Sequence, residues 1–248
     1  MLRFIDANCM IGPKMKPVQG VPDTAEELCR VMDRCGIDKA IVCYSVAKDG
    51  DITIGNKLLH GAISGKDRLM PQWIVMPNSF REFYSPAELL SQMKKHNVKT
   101  VRMYPQLTGF SLQPYAIGGL MDAFAQCRIP VMMDMAQVSH DEIYTFCKNY
   151  PEVKLIICYP GYRNGRTFDA LLHACPNLYI DSSNFCAHNG VADVCRSFGA
   201  KRMVFGSGIP AGSAASAVSL IRYADISEEE KQLIASGNIL SMLEEVRL

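Results

Sequence analysis

Short apolar segments alternate with longer amphipathic segments along the whole chain, and the alternation repeats eight times. The short segments are rich in β-branched and other apolar residues, and the long ones carry apolar residues three and four positions apart. A strand followed by a crossover helix is the unit of a parallel sheet, and eight such units close a barrel. The sequence therefore predicts an α/β fold, a single (β/α)8 TIM barrel over residues 1–248 with extra C-terminal helices.

The strands are predicted at Leu2 to Asp6, Ala40 to Tyr44, Leu69 to Val75, Thr100 to Tyr104, Pro130 to Asp134, Lys154 to Cys158, Leu178 to Asp181 and Met203 to Phe205. The helices are predicted at Thr24 to Cys35, Ile54 to Ser64, Pro86 to His96, Ala116 to Cys127, His140 to Tyr150, Arg166 to Ala174, Val191 to Phe198 and Ser213 to Tyr223. An N-cap at Ser227 and a last amphipathic helix after Gly237 are expected to complete the outer ring.

Composition excludes several classes of protein. The 248 residues include 26 Lys plus Arg and 25 Asp plus Glu, and no basic run is longer than Lys94-Lys95, so a nucleic acid partner is not expected. No uncharged apolar segment approaches the roughly 18 residues of a membrane span, and charges at Arg3 and Asp6 interrupt the N-terminal segment, so we expect no membrane contact and a cytoplasmic protein. Ten scattered cysteines are expected to be reduced thiols.

The functional face of such a barrel is the carboxyl end of its strands, where the strand-to-helix loops converge. We expect a polar, aromatic-walled cavity there for a small metabolite, with Arg102 offering a planar fork to a carboxylate or phosphate. An equally favoured alternative is that Arg102 forms an internal ion pair with Asp134 or Asp6. The residues expected at this mouth are Asp6, Asn8, Met10, Tyr44, Trp73, Arg102, Tyr104, Asp134, Tyr159, Asp181 or Ser182, and Ser207.

Asp134 and Tyr159 are the pair that we nominate for proton transfer, a carboxylate base beside a phenol acid. The alternative for this pair is a simple structural hydrogen bond from the tyrosine to the carboxylate. The glycine-rich segment 206–216 leads into a helix starting near Ser213, which is a common place for a phosphate, although an ordinary turn also explains it.

Several motifs occur in an order and spacing that cover nearly the whole chain. They are Phe4-Ile-Asp-Ala-Asn8, Cys35-Gly-Ile-Asp-Lys-Ala-Ile-Val42, Val98-Lys-Thr-Val-Arg-Met-Tyr-Pro105, Ile129-Pro-Val131, Pro176-Asn-Leu-Tyr-Ile-Asp181, Phe198-Gly-Ala-Lys-Arg-Met-Val-Phe-Gly-Ser207 and Gly237-Asn238-Ile-Leu. With them the chain resembles the amidohydrolase superfamily, in the branch related to aminocarboxymuconate-semialdehyde decarboxylase. The resemblance implies a TIM barrel and a hydrolase or decarboxylase acting on a small carboxylated or cyclic metabolite.

The resemblance also implies a metal held by a His-x-His pair on strand one, a His on each of strands five and six, and an Asp on strand eight. This chain has Asn8 and Met10, Asp134, Tyr159 and Gly208 at those positions. Only Asp134 is a good ligand for a divalent ion, so we expect a metal-independent protein without a cofactor.

Two other interpretations of the substituted positions stay open. One is a catalytically inactive homologue that binds a metabolite or pairs with an active relative. The other is a relocated metal near the cysteines, against which the strand period places Cys9 and Cys158 on the helix-facing side. The family often dimerises, and residues 105–118 would be a suitable contact for a homodimer.

Overall fold

Eight parallel strands pair in chain order, each with its sequence neighbour, in a computed structural model that describes residues 2–14, 20–161 and 164–248. Strand one also meets the residues that directly follow strand eight, through backbone hydrogen bonds from Ala7 N to Phe205 O at 2.9 Å and from Gly208 N to Asn8 O at 3.1 Å. These bonds close the sheet into the predicted barrel. The strands are β1 (Phe4–Ile11), β2 (Ile37–Tyr44), β3 (Leu69–Ile74), β4 (Thr100–Met103), β5 (Val131–Asp134), β6 (Leu155–Cys158), β7 (Leu178–Asp181) and β8 (Met203–Val204).

The helices surround the barrel, and their starts follow the capping signals of the sequence. Thr24, Ser85, Ser139 and Ser227 each form a capping box with the Glu three residues on. Two short helices that were not predicted follow strand ends, at Ser45–Asp49 and Pro105–Thr108. The helices are α1 (Ala25–Cys35), α2 (Ser45–Asp49), α3 (Ile52–Ala62), α4 (Pro86–Lys95), α5 (Pro105–Thr108), α6 (Pro114–Cys127), α7 (His140–Asn149), α8 (Gly165–Ala174), α9 (Gly190–Phe198), α10 (Ala214–Arg222), α11 (Glu228–Gln232) and α12 (Asn238–Glu244).

Apolar side chains fill the amino end of the barrel interior. Ile5, Ile41, Ile156 and Val204 belong to one buried cluster, and three residues of the last helix join it. The expectation that this helix completes the outer ring is therefore wrong, because α12 seals the amino end of the barrel. Its sealing residues are Ile239, Met242 and Leu243.

Strand β1 differs from its prediction in length and in register. It continues to Ile11 instead of ending at Asp6. Asp6 pairs with Ala40 and Cys9 with Val42, so β1 carries one extra residue against β2, which is a β-bulge. The bulge lets the adjacent residues Ala7 and Asn8 both face the barrel interior, one in the apolar cluster and one in the polar centre.

Two expectations concern the surface of the protein. No helix of the described residues is long and apolar enough to cross a membrane. The segment 105–118, suggested as a dimer contact, exposes Leu107 and Tyr115 to solvent. The dimer itself stays a prediction.

Candidate functional site

The guanidinium of Arg102 lies at the centre of the barrel's carboxyl end. Arg102 is 1% exposed, and its Nη1 donates to Asn8 Oδ1 at 2.7 Å. Its Nη2 forms an ion pair with Asp134 Oδ1. A guanidinium keeps its charge at any physiological pH, so burial requires a partner of opposite charge. Of the two interpretations of Arg102, the structure shows the internal pair, with Asp134 as the partner.

Asp181 holds Asn8 in place from the opposite side of the barrel. Asn8 Nδ2 donates to Asp181 Oδ2 at 2.7 Å and to Ser183 Oγ at 3.1 Å. Burial raises the pKa of Asp181 to about 7, against hydrogen bonds from Ser183 and Asn8 that lower it. Asp181, Asn8, Arg102 and Asp134 thus form one continuous chain of contacts from β7 through β1 and β4 to β5, which we call the central relay.

Two tyrosine rings flank the central guanidinium. Arg102 Cζ lies 5.5 Å from the centre of the Tyr104 ring and 6.0 Å from that of Tyr159, within the range of cation–π attraction. Burial raises the pKa of both phenols well above the usual value, so both stay protonated. The hydrogen bond suggested between Tyr159 and Asp134 is not formed, since Tyr159 Oη donates to the carbonyl of Gly208 at 3.0 Å.

Tyr159 and Gly208 fit together sterically. Tyr159 follows β6 with a φ of 55°, in the left-handed region, and this turns its ring toward strand β8. Gly208 has a φ of +72°, and a Cβ atom there would lie 2.6 Å from Tyr159 Cε1 and 3.1 Å from Ser183 Cβ. No side chain fits at position 208 while the ring is in place. The tyrosine therefore occupies the space that a carboxylate on strand eight would need.

A cavity of about 470 Å³ opens beside Tyr159, between the ends of β7 and β8 and the start of α10. Ser207 lines it, although its backbone N–H donates to Asp6 Oδ1 at 2.9 Å and its Oγ accepts from Ile209 N at 3.2 Å. The glycine-rich segment suggested as an anion site forms one side of the cavity. The remaining lining residues are Ser182, Asn184, Phe185, Cys186, Ala211, Gly212, Ser213, Ser216, Ala217 and Leu220.

Trp73 does not lie at the mouth of the barrel, where it was predicted. Its indole N–H donates to His60 Nε2 at 3.0 Å, and its ring packs against those of Tyr84 and His96. These partners belong to α3 and to the ends of α4, so the ring lies between the sheet and the helices. The phase of β3 is such that Gln72, bonded to Thr100 and Met132, faces the interior instead.

Cys158 was also assigned to the wrong side of its strand. It belongs to the interior cluster, whereas it was expected to face the helices. Tyr159 reaches the site despite following it directly, because the chain leaves the strand conformation at that residue. Cys9 does pack, as predicted, in the larger apolar cluster that joins strand residues such as Phe4 to helix residues such as Leu28 and Met32, which we call the outer cluster.

The other predicted mouth residues lie outside the central relay. Met10 and Tyr44 are half-buried against the outer cluster, and the Tyr44 ring packs on Gly12. Asp6 is fully buried, accepts from the backbone N–H groups of Asn8 and Ser207, and has its pKa raised by burial. It therefore supports the turn after β8 and takes no part in the central relay.

Sequence reasoning missed two residues of the site. Ser183 Oγ donates to both oxygens of Asp181, at 2.7 and 2.6 Å, and it follows that carboxylate by two positions. A hydroxyl two residues after a strand-end Asp was the available signal. Lys48 of the unpredicted helix α2 places its Nζ 5.3 Å from the centre of the Tyr104 ring, and no signal in the sequence pointed to it.

A family model identifies the family of this chain. The amidohydrolase family model matches residues 56–244. The chain belongs to the amidohydrolase family. No curated protein sequence matches it at a significant level.

Several solved structures share its fold at low identity. 2,6-Dihydroxybenzoate decarboxylase from Rhizobium has a TM-score of 0.80 at 12% identity, covering 98% of this chain and 99% of its own. 5-Carboxyvanillate decarboxylase from Sphingomonas paucimobilis has a TM-score of 0.76 at 12% identity, covering 100% of both chains. An uncharacterised TIM-barrel protein from Bordetella bronchiseptica has a TM-score of 0.78 at 15% identity, covering 98% and 99%.

The residues of this family member do not fit the metal that the resemblance implies. Asn8 and Asp134, at two positions where the resemblance places ligands, are both bonded to a permanent cation. Tyr159 occupies the space of the missing side chain at Gly208. Within residues 2–14, 20–161 and 164–248, no cluster of three or more His, Cys, Asp or Glu side chains could hold a metal ion.

Proposed function

We propose that this protein binds a small, single-ring carboxylated molecule in the cavity beside Tyr159 and decarboxylates it without a metal. The observation that carries the proposal is the Arg102 guanidinium, which is held between Asn8 and Asp134 and lies 6.0 Å from the ring centre of Tyr159, a residue that lines the cavity. Similar barrels whose names describe decarboxylation of carboxylated aromatic compounds support the substrate class. The ligand that we propose is therefore a small anionic metabolite, because the nearby fixed charge is positive.

The cavity has the size and lining for one substituted ring. About 470 Å³ lies within the usual range of small-molecule sites. Phe185 and Leu220 provide apolar wall, and the hydroxyls of Ser213 and Ser216, at the start of α10, provide polar groups for ring substituents. A hydroxylated aromatic acid matches this mixture of surfaces.

Two unpaired donors, one in the guanidinium and one beside it, favour a ligand that carries a carboxylate. Arg102 Nε and Tyr104 Oη have no hydrogen-bond partner among the described residues, and both residues are 1% exposed. Buried donors without acceptors are costly, and a carboxylate oxygen or a water satisfies them. Because Arg102 is so deeply buried, a ligand reaches Nε only when a neighbouring side chain moves.

The proposed reaction uses Tyr159 as the proton source. The bond between the ring and its carboxylate breaks, CO2 leaves, and the electron pair on the ring carbon takes the proton of Tyr159 Oη. Water then returns a proton to the phenolate, so the reaction consumes one proton and needs no oxidant or reductant. Arg102 stabilises the negative charge on substrate and phenolate, and Asp134 keeps the guanidinium oriented.

The test is release of CO2 from 2,6-dihydroxybenzoate and 5-carboxyvanillate by the full chain, with chelator and with added Mn²⁺. We expect turnover in chelator and a loss of at least about a hundredfold in Tyr159→Phe. The exposed Tyr144→Phe variant on α7 is the matched control and should keep full activity. Turnover that needs Mn²⁺ would contradict the metal-independent reaction.

A second candidate is a binding protein without turnover, as a catalytically inactive homologue. Its supporting observation is that Tyr159 Oη already donates to Gly208 and that the central relay is internally bonded. Saturable binding of the same acids by calorimetry, without CO2 release under any condition, would favour this candidate over the enzyme.

A further inference from the structure

We infer that the Arg102 guanidinium is the built-in cation of this barrel, occupying the place of a divalent metal and keeping such metals out. This inference deepens the metal-independent site proposed above. Its test measures stability and metal binding, so it and the proposed reaction can fail separately.

The first argument is the position of the guanidinium. Asn8 and Asp134 stand at two positions where the resemblance places metal ligands, on strands β1 and β5. Each gives one oxygen to a different nitrogen of the same guanidinium. Two oxygen donors from different strands therefore converge on one planar cation, as they would on a metal ion.

The second argument is that Asp181 and Ser183 fix the orientation of the Asn8 amide, which in turn holds the guanidinium. Asn8 Nδ2 donates to Asp181 and Ser183, which leaves Asn8 Oδ1 facing Arg102. Reversing this amide would place its NH2 group against the guanidinium and its oxygen against the carboxylate of Asp181. Asp181 is therefore a positioning residue that fixes the Asn8 amide and, through it, Arg102.

The third argument is electrostatic. A divalent ion at this point would meet the full charge of a guanidinium that is 1% exposed and screened by little water. Metal binding thus requires that the guanidinium leave.

The experiment compares the melting temperature of the full chain with and without millimolar Mn²⁺ in four proteins. These are wild type, Arg102→Lys, Arg102→Met and the double variant Arg102→Met/Asp134→Asn. We expect Arg102→Met to lower the Tm by about 10 °C, because Asp134 is left buried without a counter-charge. Arg102→Lys should lose less, and the double variant should regain most of the loss.

Mn²⁺ decides whether the guanidinium stands in for a metal. It should raise the Tm of Arg102→Met by supplying the missing cation to Asn8 and Asp134, and it should leave wild type and the double variant unchanged. A rise in the Tm of wild type, or no response in a folded Arg102→Met, contradicts the inference. If Arg102→Met does not fold, folding of the double variant supports the inference, and failure of both contradicts it.

Discussion

The two ends of the barrel interior are built in opposite ways. At the amino end, aliphatic residues of the strands pack against Ile239, Met242 and Leu243 of α12. At the carboxyl end, a buried guanidinium is held by the Asp134 carboxylate and by the Asn8 amide, which Asp181 holds in turn. Apolar packing stabilises without regard to pH or direction, whereas a buried charge is tolerated only with its partners in place. The amino end therefore contributes stability, and the carboxyl end contributes a fixed electrostatic arrangement.

The largest expected effect is at the amino end. Ile239→Ala removes a fully buried side chain and should lower the free energy of unfolding by about 2–5 kcal/mol, measured by urea denaturation. Ile54→Ala, at a residue 56% exposed, is the control of the same type and should change it by less than about 0.5 kcal/mol. Equal effects of the two variants would contradict the claim that packing at the amino end stabilises the barrel more than a surface residue does.

The next effect belongs to the carboxyl end and depends on pH. Burial raises the pKa of Asp181 to about 7, so the folded state keeps a proton that the unfolded chain loses near pH 4. The free energy of unfolding should therefore fall as the pH rises from about 4 to about 7, by roughly 2 kcal/mol or more from this group. Asp181→Asn should flatten that slope in urea titrations at several pH values. Parallel slopes in the two proteins would show that Asp181 does not titrate in this way.

A smaller effect tests which side of the sheet Trp73 faces. Trp73→Phe keeps an aromatic ring but loses the hydrogen bond to His60, so it should cost about 1 kcal/mol of stability. Ligand affinity, measured by calorimetry with the acid that binds wild type, should not change. A loss of affinity without a loss of stability would place the indole in the mouth after all.

The smallest effect comes from the same outer cluster. Burial, with the nearby His96, lowers the pKa of His60, so the folded state binds its proton less readily than the unfolded chain. Stability should therefore decrease as the pH falls below about 6.5. His60→Gln should weaken this decrease in urea denaturation at several pH values. The effect is modest because His60 is only partly buried.

The barrel was predictable because its signals are local and repeated. Eight alternations of short apolar and long amphipathic segments require a parallel sheet, and the residues of the capping boxes mark helix starts at Ser85, Ser139 and Ser227. The final helix was misplaced because its periodicity shows one apolar face without saying what that face covers. The same face would fit an outer layer or the barrel's end.

The site was predictable where it depends on parallel strand ends meeting at one edge. Asn8, Arg102 and Asp134 come together for that reason. Trp73 was misplaced because strands buried on both faces lack a clear alternation of polar and apolar residues. The bulge before Cys9 and the left-handed φ of Tyr159 shift the phase by one residue, and neither leaves a periodic trace in the sequence.

Metal content tests the central claim most directly, namely that Arg102 supplies the positive charge of this site. Elemental analysis of the full chain, purified without chelator, should find divalent metal well below one ion per chain. Binding of an aromatic acid should be the same after dialysis against chelator. One tightly held divalent ion per chain that is lost in Asp134→Asn would contradict the account and assign the carboxyl end to metal chemistry.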